Sequence, residues 1–130
     1  MPEARTITSN RRETAREPDD VAGDIGLLLR AHAEYGWLRR EVLPVVHQFE
    51  TPGELPPSQR GAARAYLEFA WEQAQARAQR TDDLRARLPV PEDGAELFAR
   101  ACRYHAAVRE ERERLGERVG ALLTPAAAPR

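Results

Sequence analysis

Apolar side chains recur along three long stretches of the chain at the three- and four-residue spacing of an α-helix. No stretch shows the two-residue alternation of apolar and polar side chains that is typical of a strand. Proline clusters at residues 51–57 and 89–91 separate the stretches and are expected to end one helix and begin the next. The pattern predicts helices over about residues 19–50, 58–88 and 92–123. Long helices with short connections predict an all-α fold, a three-helix up-down-up antiparallel bundle.

The first predicted helix has one apolar stripe and one residue that disturbs it. At about 100° per residue, the stripe contains Val21, Ile25, Leu28, Tyr35, Val42, Leu43, Val46 and Phe49. The opposite, polar face contains Arg30, Glu34, Glu41 and Gln48. Asp19 or Asp20 is expected to cap the start of this helix. Pro44 lies inside the pattern and lacks a backbone N–H, so we expect a kink or a break there.

The second and third predicted helices differ in the side chains of their apolar faces. Alanine makes up most of the second face, so a neighbouring helix can approach closely while burying little area. Ser58 is expected to be the N-cap of this helix. The third helix has the cleanest amphipathic pattern of the three. At its start, Asp93 followed by Glu96 resembles a capping box.

The two ends of the chain lack this periodicity. Residues 1–17 are polar and of mixed charge, and we expect them to be disordered. Residues 124–130 are rich in alanine and proline and are expected to form a flexible tail. The remaining segment, residues 18–123, is predicted to be a single helical domain, because the length of 130 residues is typical of one domain.

Composition argues against several classes of protein. All 20 basic residues are arginine and 21 residues are acidic, and the net charge of −1 argues against a nonspecific nucleic-acid binder. No apolar run approaches the roughly 20 residues of a membrane span, and the first residues do not resemble a secretory signal. The single cysteine, Cys102, excludes an internal disulfide. We therefore expect a cytoplasmic protein, and the excess of arginine and alanine with no lysine indicates a high-GC bacterial genome.

The hydrophobic core is predicted to be thin, since 22 alanines stand against only 25 Leu, Val, Ile and Phe residues together. Association completes a thin core, so we expect a coiled-coil-like contact with a protein partner or a homodimer, with a stable monomer as the alternative. Trp37 and Trp71, if exposed, form the predicted interaction surface. Arg39 and Arg112 fall on stripes that should be apolar. Each is therefore expected at the rim of the bundle or against acidic groups of a partner.

Five residues form a candidate ligand-binding site. If the midpoints of the helices are level, His32, Arg77 and His105 lie at one height, with Tyr35 and Tyr104 within a turn of them. Such a layer would fix the helix register through hydrogen bonds, unless the side chains reach the surface separately. The third interpretation is a small-ligand pocket in which Arg77 holds an anion and a histidine titrates near neutral pH. A metal site is not expected, because a permanent cation lies beside the imidazoles.

No catalytic motif accompanies these residues. The sequence has no glycine-rich phosphate loop, no Gly-x-Ser-x-Gly elbow, no His-Glu-x-x-His and no Glu-x-x-His pair of a di-iron bundle. We predict no catalytic residue, no metal and no cofactor. The expected function is a non-enzymatic helical module for protein–protein interaction, such as an adaptor, regulator or assembly subunit. The alternative is a small-ligand-binding bundle or small enzyme that uses the His/Arg/Tyr layer, and a nucleic-acid role is third.

Overall fold

Helices account for every regular element in the part of the chain that the computed structural model describes, residues 23–91 and 96–124. In chain order these are α1 (Gly23–Trp37), a π-helical turn (Leu38–Val42), α2 (Leu43–Glu50), a 3₁₀ turn (Pro57–Gln59), α3 (Arg60–Arg87) and α4 (Glu96–Leu123). No strand occurs within those two ranges. The prediction of an all-α fold with long helices packed against each other is confirmed.

The observed helix ends lie within about two residues of the predicted ones wherever the structure describes them. Four predictions concern residues outside the described ranges. They are the disordered segment 1–17, the helix start at residues 19–20, the capping box at Asp93 and the tail after residue 124.

The rod made by α1, the π-helical turn and α2 is the element against which both other helices pack. Leu27 of α1 clusters with Leu84 near the end of α3 and with Ala101 near the start of α4. Further along α1, the indole N–H of Trp37 donates to the carbonyl of Ala70, which lies earlier in α3. The second long helix is therefore antiparallel to α1. Glu34, further along α1 than Leu27, pairs with Arg112, further along α4 than Ala101, so the third long helix is parallel to α1 in up-down-up order. Helices α3 and α4 contact each other less than either contacts α1.

The buried apolar side chains form two clusters. The main cluster consists of Leu38, Val42, Val46, Leu67, Ala70, Ala74, Leu115 and Val119. The smaller cluster consists of Leu27, Leu84 and Ala101. On α3 the main cluster includes two alanines and only one leucine, so this helix buries little apolar area, as its sequence predicts.

The disturbance expected at Pro44 takes the form of the π-helical turn Leu38–Val42. Because Pro44 has no backbone N–H, the regular bond to the carbonyl four residues earlier is lost. The preceding residue, Leu43, donates its N–H to the carbonyl of Leu38, five residues earlier, where a regular α-helix would use the carbonyl four residues earlier. The backbone at Trp37 and at Leu43 stays in the right-handed helical region, so the winding changes but the rod does not break.

The extra residue in the π-helical turn rotates the first half of the rod by about 100° relative to a regular α-helix. Val46 is buried in α2. If the rod were a regular α-helix throughout, Tyr35 and Leu28 would lie about three and five turns before Val46, on the same buried side. The structure instead buries the residues before them, Glu34 and Leu27. The predicted stripe is therefore correct in α2 and one residue out of phase in α1. Ile25, which was expected in the stripe, is 54 % exposed.

A tight turn connects α2 to the next helix. The N–H of Glu54 donates to the carbonyl of Thr51 at 3.1 Å, and Gly53 has a φ of 80°. Proline followed by a glycine of positive φ is the pattern of a type II turn, with Pro52 at its second position. Ser58 is not the N-cap of α3, because the helical backbone already begins with the 3₁₀ turn that contains it. Proline at the first position of that turn presets the helical φ one residue earlier than expected.

Two contacts between α3 and α4 add to the limited packing of the alanine face. The guanidinium of Arg64 donates to the carbonyl of Leu122 at 2.7 Å and to that of Leu123 at 2.6 Å, which satisfies carbonyls that the end of α4 leaves unpaired. The indole of Trp71 packs closely over Gly116, where an added Cβ would lie 3.1 Å from the ring. Glycine at this position lets the indole approach the backbone of α4 without crowding a Cβ.

Two glycines of α4, one turn apart, provide a matched test of this contact. We predict that Gly120→Ala raises the free energy of unfolding by about 0.5–1 kcal/mol, because alanine favours the helix and its Cβ meets no atom within 4 Å. Gly116→Ala should gain clearly less, since its Cβ crowds Trp71. Urea unfolding measures both values, and equal gains would contradict the described packing of Trp71.

Candidate functional site

The guanidinium of Arg112 on α4 lies between two carboxylates inside the bundle. Its Nε and Nη2 donate to the two oxygens of Glu34 at 2.7 and 3.2 Å. Its Nη1 and Nη2 donate to the two oxygens of Asp82 at 3.0 and 3.1 Å. The side chain of Glu34 is 0 % exposed and that of Arg112 is 18 % exposed. Glu34 belongs to α1 and Asp82 to α3, so each long helix contributes one ionic group.

His105 is the fourth member of this group, which we call the charge cluster: Glu34, Asp82, His105 and Arg112. Its Nε2 lies 2.8 Å from Oδ1 of Asp82, and its side chain is 7 % exposed. A carboxylate only accepts, so Nε2–H is the donor in this hydrogen bond. Four of the five N–H donors of Arg112 are directed at carboxylates of the cluster. The guanidinium therefore has little capacity left to hold an additional anion.

The charge cluster determines which residues of the three helices lie at one height. A carboxylate as buried as that of Glu34 costs several kcal/mol unless it is paired. The bidentate geometry of a guanidinium satisfies both of its oxygens at once. That geometry is lost if one helix slides along another, so the cluster opposes changes of helix register.

The pKa values of the cluster reflect these contacts. Burial acts to raise the pKa of Asp82, but hydrogen bonds from Arg112 and His105 outweigh it and hold the pKa below its ordinary value of 3.8. Burial acts to lower the pKa of Arg112, and hydrogen bonds to Glu34 and Asp82 outweigh it and raise that pKa. Both groups stay charged at neutral pH.

The structure does not bring the five predicted ligand residues into one layer. His32 is exposed, and its Nδ1 lies 3.1 Å from the hydroxyl of Tyr104. The guanidinium of Arg77 stacks over the ring of Trp37, with 4.0 Å between Cζ and the ring centroid. His105 belongs to the charge cluster. Tyr104 and His105 are successive residues, and side chains of successive residues point about 100° apart on a helix, which directs the two contacts to different sides of α4.

Trp37, Trp71 and Arg39, which were expected on an interaction surface, do not form one exposed patch. Trp37 and Trp71 are partly buried against the main apolar cluster, which corrects the expectation of an exposed aromatic patch. Trp37 donates to Ala70 of α3 and Trp71 packs over Gly116 of α4, so both indoles contact other helices of the same chain. Arg39 is exposed at the rim, where its Cζ lies 5.6 Å from the ring centroid of Tyr35. Its Nη1 also donates to the Tyr35 hydroxyl at 3.3 Å.

Two residues of the charge cluster were not predicted from the sequence. Regular α-helical spacing places Glu34 on the polar face, because it lacks the extra residue of the π-helical turn. The assumption of level midpoints placed Arg77 beside His105, where the structure has Asp82, more than one helical turn further along α3. The feature of the sequence that indicates a charge cluster is Arg112, a cation on a stripe that is otherwise apolar. Its acidic groups lie within the chain, not on a partner.

An apolar groove lies between α1 and α4, and we call it the α1–α4 groove. It encloses about 470 Å³ and is lined by Ile25, Leu28, Leu29, His32, Arg100 and Tyr104. Leu97, about one helical turn before Arg100 on α4, does not line the groove but is a further apolar side chain that is 40 % exposed. Arg30 lies on another side of α1, where it donates to the carbonyl of Arg80 in α3. The groove is thus on the side of α1 away from α3.

The α1–α4 groove has one permanent charge among its lining residues, and that charge is positive. None of its six lining residues is a carboxylate, and Arg100 is the one permanent charge among them. In the ranges that the structure describes, no acidic side chain forms an ion pair with Arg100. Burial, and next the nearby Tyr35, raise the pKa of Tyr104, so its hydroxyl remains neutral beside His32.

No helix in the described ranges is both long and apolar enough to cross a membrane. No group of three His, Cys, Asp or Glu side chains among the described residues is placed to hold a metal ion. At the charge cluster, the guanidinium of Arg112 is the cation between the carboxylates.

In comparisons with known proteins, no family model matches the chain, and neither a curated protein nor a solved structure matches it.

The charge cluster predicts a large difference between two arginines of α4. Arg112→Met leaves Glu34 buried without its cation, so we expect the free energy of unfolding to fall by about 3–5 kcal/mol. The matched control is Arg118→Met, because Arg118 pairs with Glu50 where both side chains are about 40 % exposed. Its loss should be below about 1 kcal/mol. Chemical unfolding measures both variants.

A double variant separates pairing from packing at the same site. Glu34→Leu combined with Arg112→Met removes both charges, so most of the stability lost in the single variant should return. If Arg112→Met costs no more than Arg118→Met, or if the double variant is as unstable as the single one, the described pairing is wrong.

The lowered pKa of Asp82 predicts an acid-dependent loss of stability. The folded pKa lies below the unfolded value of 3.8, so the contribution is complete above pH 3.8 and is lost as the pH falls through the folded pKa. Urea unfolding at pH 7 and pH 3 should therefore show a smaller loss for Asp82→Asn than for the wild type. Asp83→Asn is the control, since Asp83 accepts its hydrogen bond from Gln79 on the same helix. An unchanged acid dependence in Asp82→Asn would contradict the described contacts.

Proposed function

We propose that the protein is a non-enzymatic helical module for protein–protein interaction, and that the α1–α4 groove is its binding surface. The observation that supports this function best is the exposure of large apolar side chains around the groove. Ile25 is 54 % exposed, and Leu29 and Leu97 are each 40 % exposed. Apolar side chains that cluster on a surface are typical of an interaction site, whereas scattered ones are ordinary.

The shape of the groove fits a helix of the partner. Its walls are two parallel helices, and a third helix laid between them completes a packed bundle with apolar side chains at i, i+3, i+4 and i+7. Such a helix would cover the exposed apolar side chains that line the groove.

The positive charge of the groove indicates which charges the partner helix has beside its apolar face. Arg100 lies at its edge, and none of the groove's lining residues is an acid. An acidic flank on the partner helix would pair with Arg100 and orient the helix, while a basic flank would be repelled. The expected ligand is therefore an amphipathic helix with apolar side chains on one face and carboxylates beside them.

A small apolar ligand is the second candidate, favoured by the volume of about 470 Å³, which is within the usual range for such sites. The groove is open to solvent along one side, however, and small ligands are usually enclosed over most of their surface. A helix covers an open groove, so the interaction module is the better interpretation.

A designed peptide tests the proposal. We expect a helical peptide with leucines at i, i+3, i+4 and i+7 and glutamates at its flank to bind with a Kd on the order of micromolar, as befits a small interface. NMR shifts should change at Leu29 and Arg100 and leave α3 unchanged. A peptide with lysine in place of each glutamate should bind about tenfold more weakly or worse.

Two variants serve as the test and its control. Leu29→Glu places a charge in the groove and should abolish binding of the acidic peptide. Val90→Glu changes an apolar residue that is 73 % exposed outside the groove and should leave binding unchanged. Equal affinity for the two peptides, no binding of either, or full binding by Leu29→Glu would overturn the proposed function.

A further inference from the structure

We infer that the helix received by the α1–α4 groove is α3 of a second copy of this chain. The inference rests on the proposed function, because it assigns the partner of the same groove. The groove and the outer side of α3 complement each other in shape and charge. They face different directions, so they cannot meet within one copy.

The first of these surfaces is the outer side of α3. Its buried side is formed by Leu67, Ala70, Ala74 and Ala78. The opposite side presents Ala65, Phe69, Glu72 and Ala76, all exposed, which we call the α3 outer stripe. Small side chains on either side of one aromatic ring allow a neighbouring helix pair to come close to this stripe.

Phe69 is the apolar anchor of the stripe. It is 50 % exposed, and its ring centroid lies 6.1 Å from that of Tyr66, to which it is tilted by 47°. A half-exposed phenylalanine on a helix is among the larger unburied apolar groups of this chain. It matches the exposed ends of Ile25, Leu29 and Leu97 around the groove.

The charges of the two surfaces are opposite. Glu68 and Glu72 lie beside Phe69 on the exposed side of α3, and neither forms an ion pair within the ranges that the structure describes. Arg100 lines the groove, about one helical turn after Leu97. Phe69 and Glu72 are separated by about 4.5 Å along their helix, as are Leu97 and Arg100. When Phe69 enters the groove near Leu97, Glu72 can therefore reach Arg100.

Within one copy these surfaces face apart, since α3 turns its alanine face to α1 and its outer stripe away. The contact between copies therefore joins two different surfaces, groove to stripe, and a pair of copies joined in this way retains one free groove and one free stripe. Such a contact produces a ring or an open chain of copies, not a closed symmetric dimer.

Two blocked variants test this arrangement. Leu29→Glu disables only the groove, and Phe69→Glu disables only the outer stripe. Both positions are exposed, and circular dichroism checks that each variant folds. In sedimentation velocity, the wild type should form oligomers as concentration rises, and each variant alone should be monomeric, with association weakened about tenfold or more.

An equimolar mixture of the two variants is the decisive sample. The intact groove of Phe69→Glu can bind the intact stripe of Leu29→Glu, and the remaining surfaces are both blocked. We therefore expect a discrete dimer in the mixture at concentrations where each variant alone is monomeric. A mixture that stays monomeric, or a Phe69→Glu variant that associates as the wild type does, would overturn the inference.

The designed peptide keeps this inference separate from the proposed function. If the acidic peptide binds the groove but the wild type stays monomeric up to about millimolar concentration, the second copy is the wrong partner and the interaction module stands. If the peptide does not bind and the copies do not associate, both proposals fail. If the wild-type copies associate and the acidic peptide inhibits that association by competition, both the proposed function and the inference are supported.

Discussion

The buried carboxylate of Glu34 is the constraint on which the alignment of the three helices depends. A charge in that position requires a cation, and Arg112 provides it from the neighbouring helix. Asp82 then holds the other side of the guanidinium and His105 holds Asp82. The alanines of α3 offer few large side chains to define how far it slides along α1. Directional ionic hydrogen bonds supply the alignment that apolar packing alone would leave loose.

The π-helical turn connects the interior of the protein with its surface. One additional residue at Leu38–Val42 turns Glu34 towards α4 and, by the same rotation, turns Ile25, Leu29 and His32 outwards. The charge cluster and the α1–α4 groove are thus two results of one local change in winding. Pro44, which prevents the regular hydrogen bond, is the residue in the sequence that explains why the turn lies there.

Periodicity and proline positions predicted the all-α fold and the ends of the helices, since both depend on local properties of the chain. The rotation of α1 could not be predicted in the same way. A helical projection at constant angle has no place for the extra residue, so every position of α1 before the π-helical turn was assigned to a neighbouring face. Arg112 was recognised as a charge that needs acidic groups, but Glu34 and Asp82 were missed because phase and register determine which carboxylates it meets.

A π-helical turn differs from a regular α-helical segment by one residue, which is one codon at the level of the gene. Deleting one residue between positions 38 and 42 would restore the regular spacing and rotate α1 by about 100°, which turns a neighbouring face of α1 inwards. Tyr35, His32 and Leu28 would turn inwards, and Glu34 would turn to the solvent and leave Arg112. The same sequence thus contains a second amphipathic pattern, one residue away from the one it uses. Point substitutions in α1 change single contacts, whereas a single-codon change in the length of this turn rotates all of α1 by about 100° against the other helices.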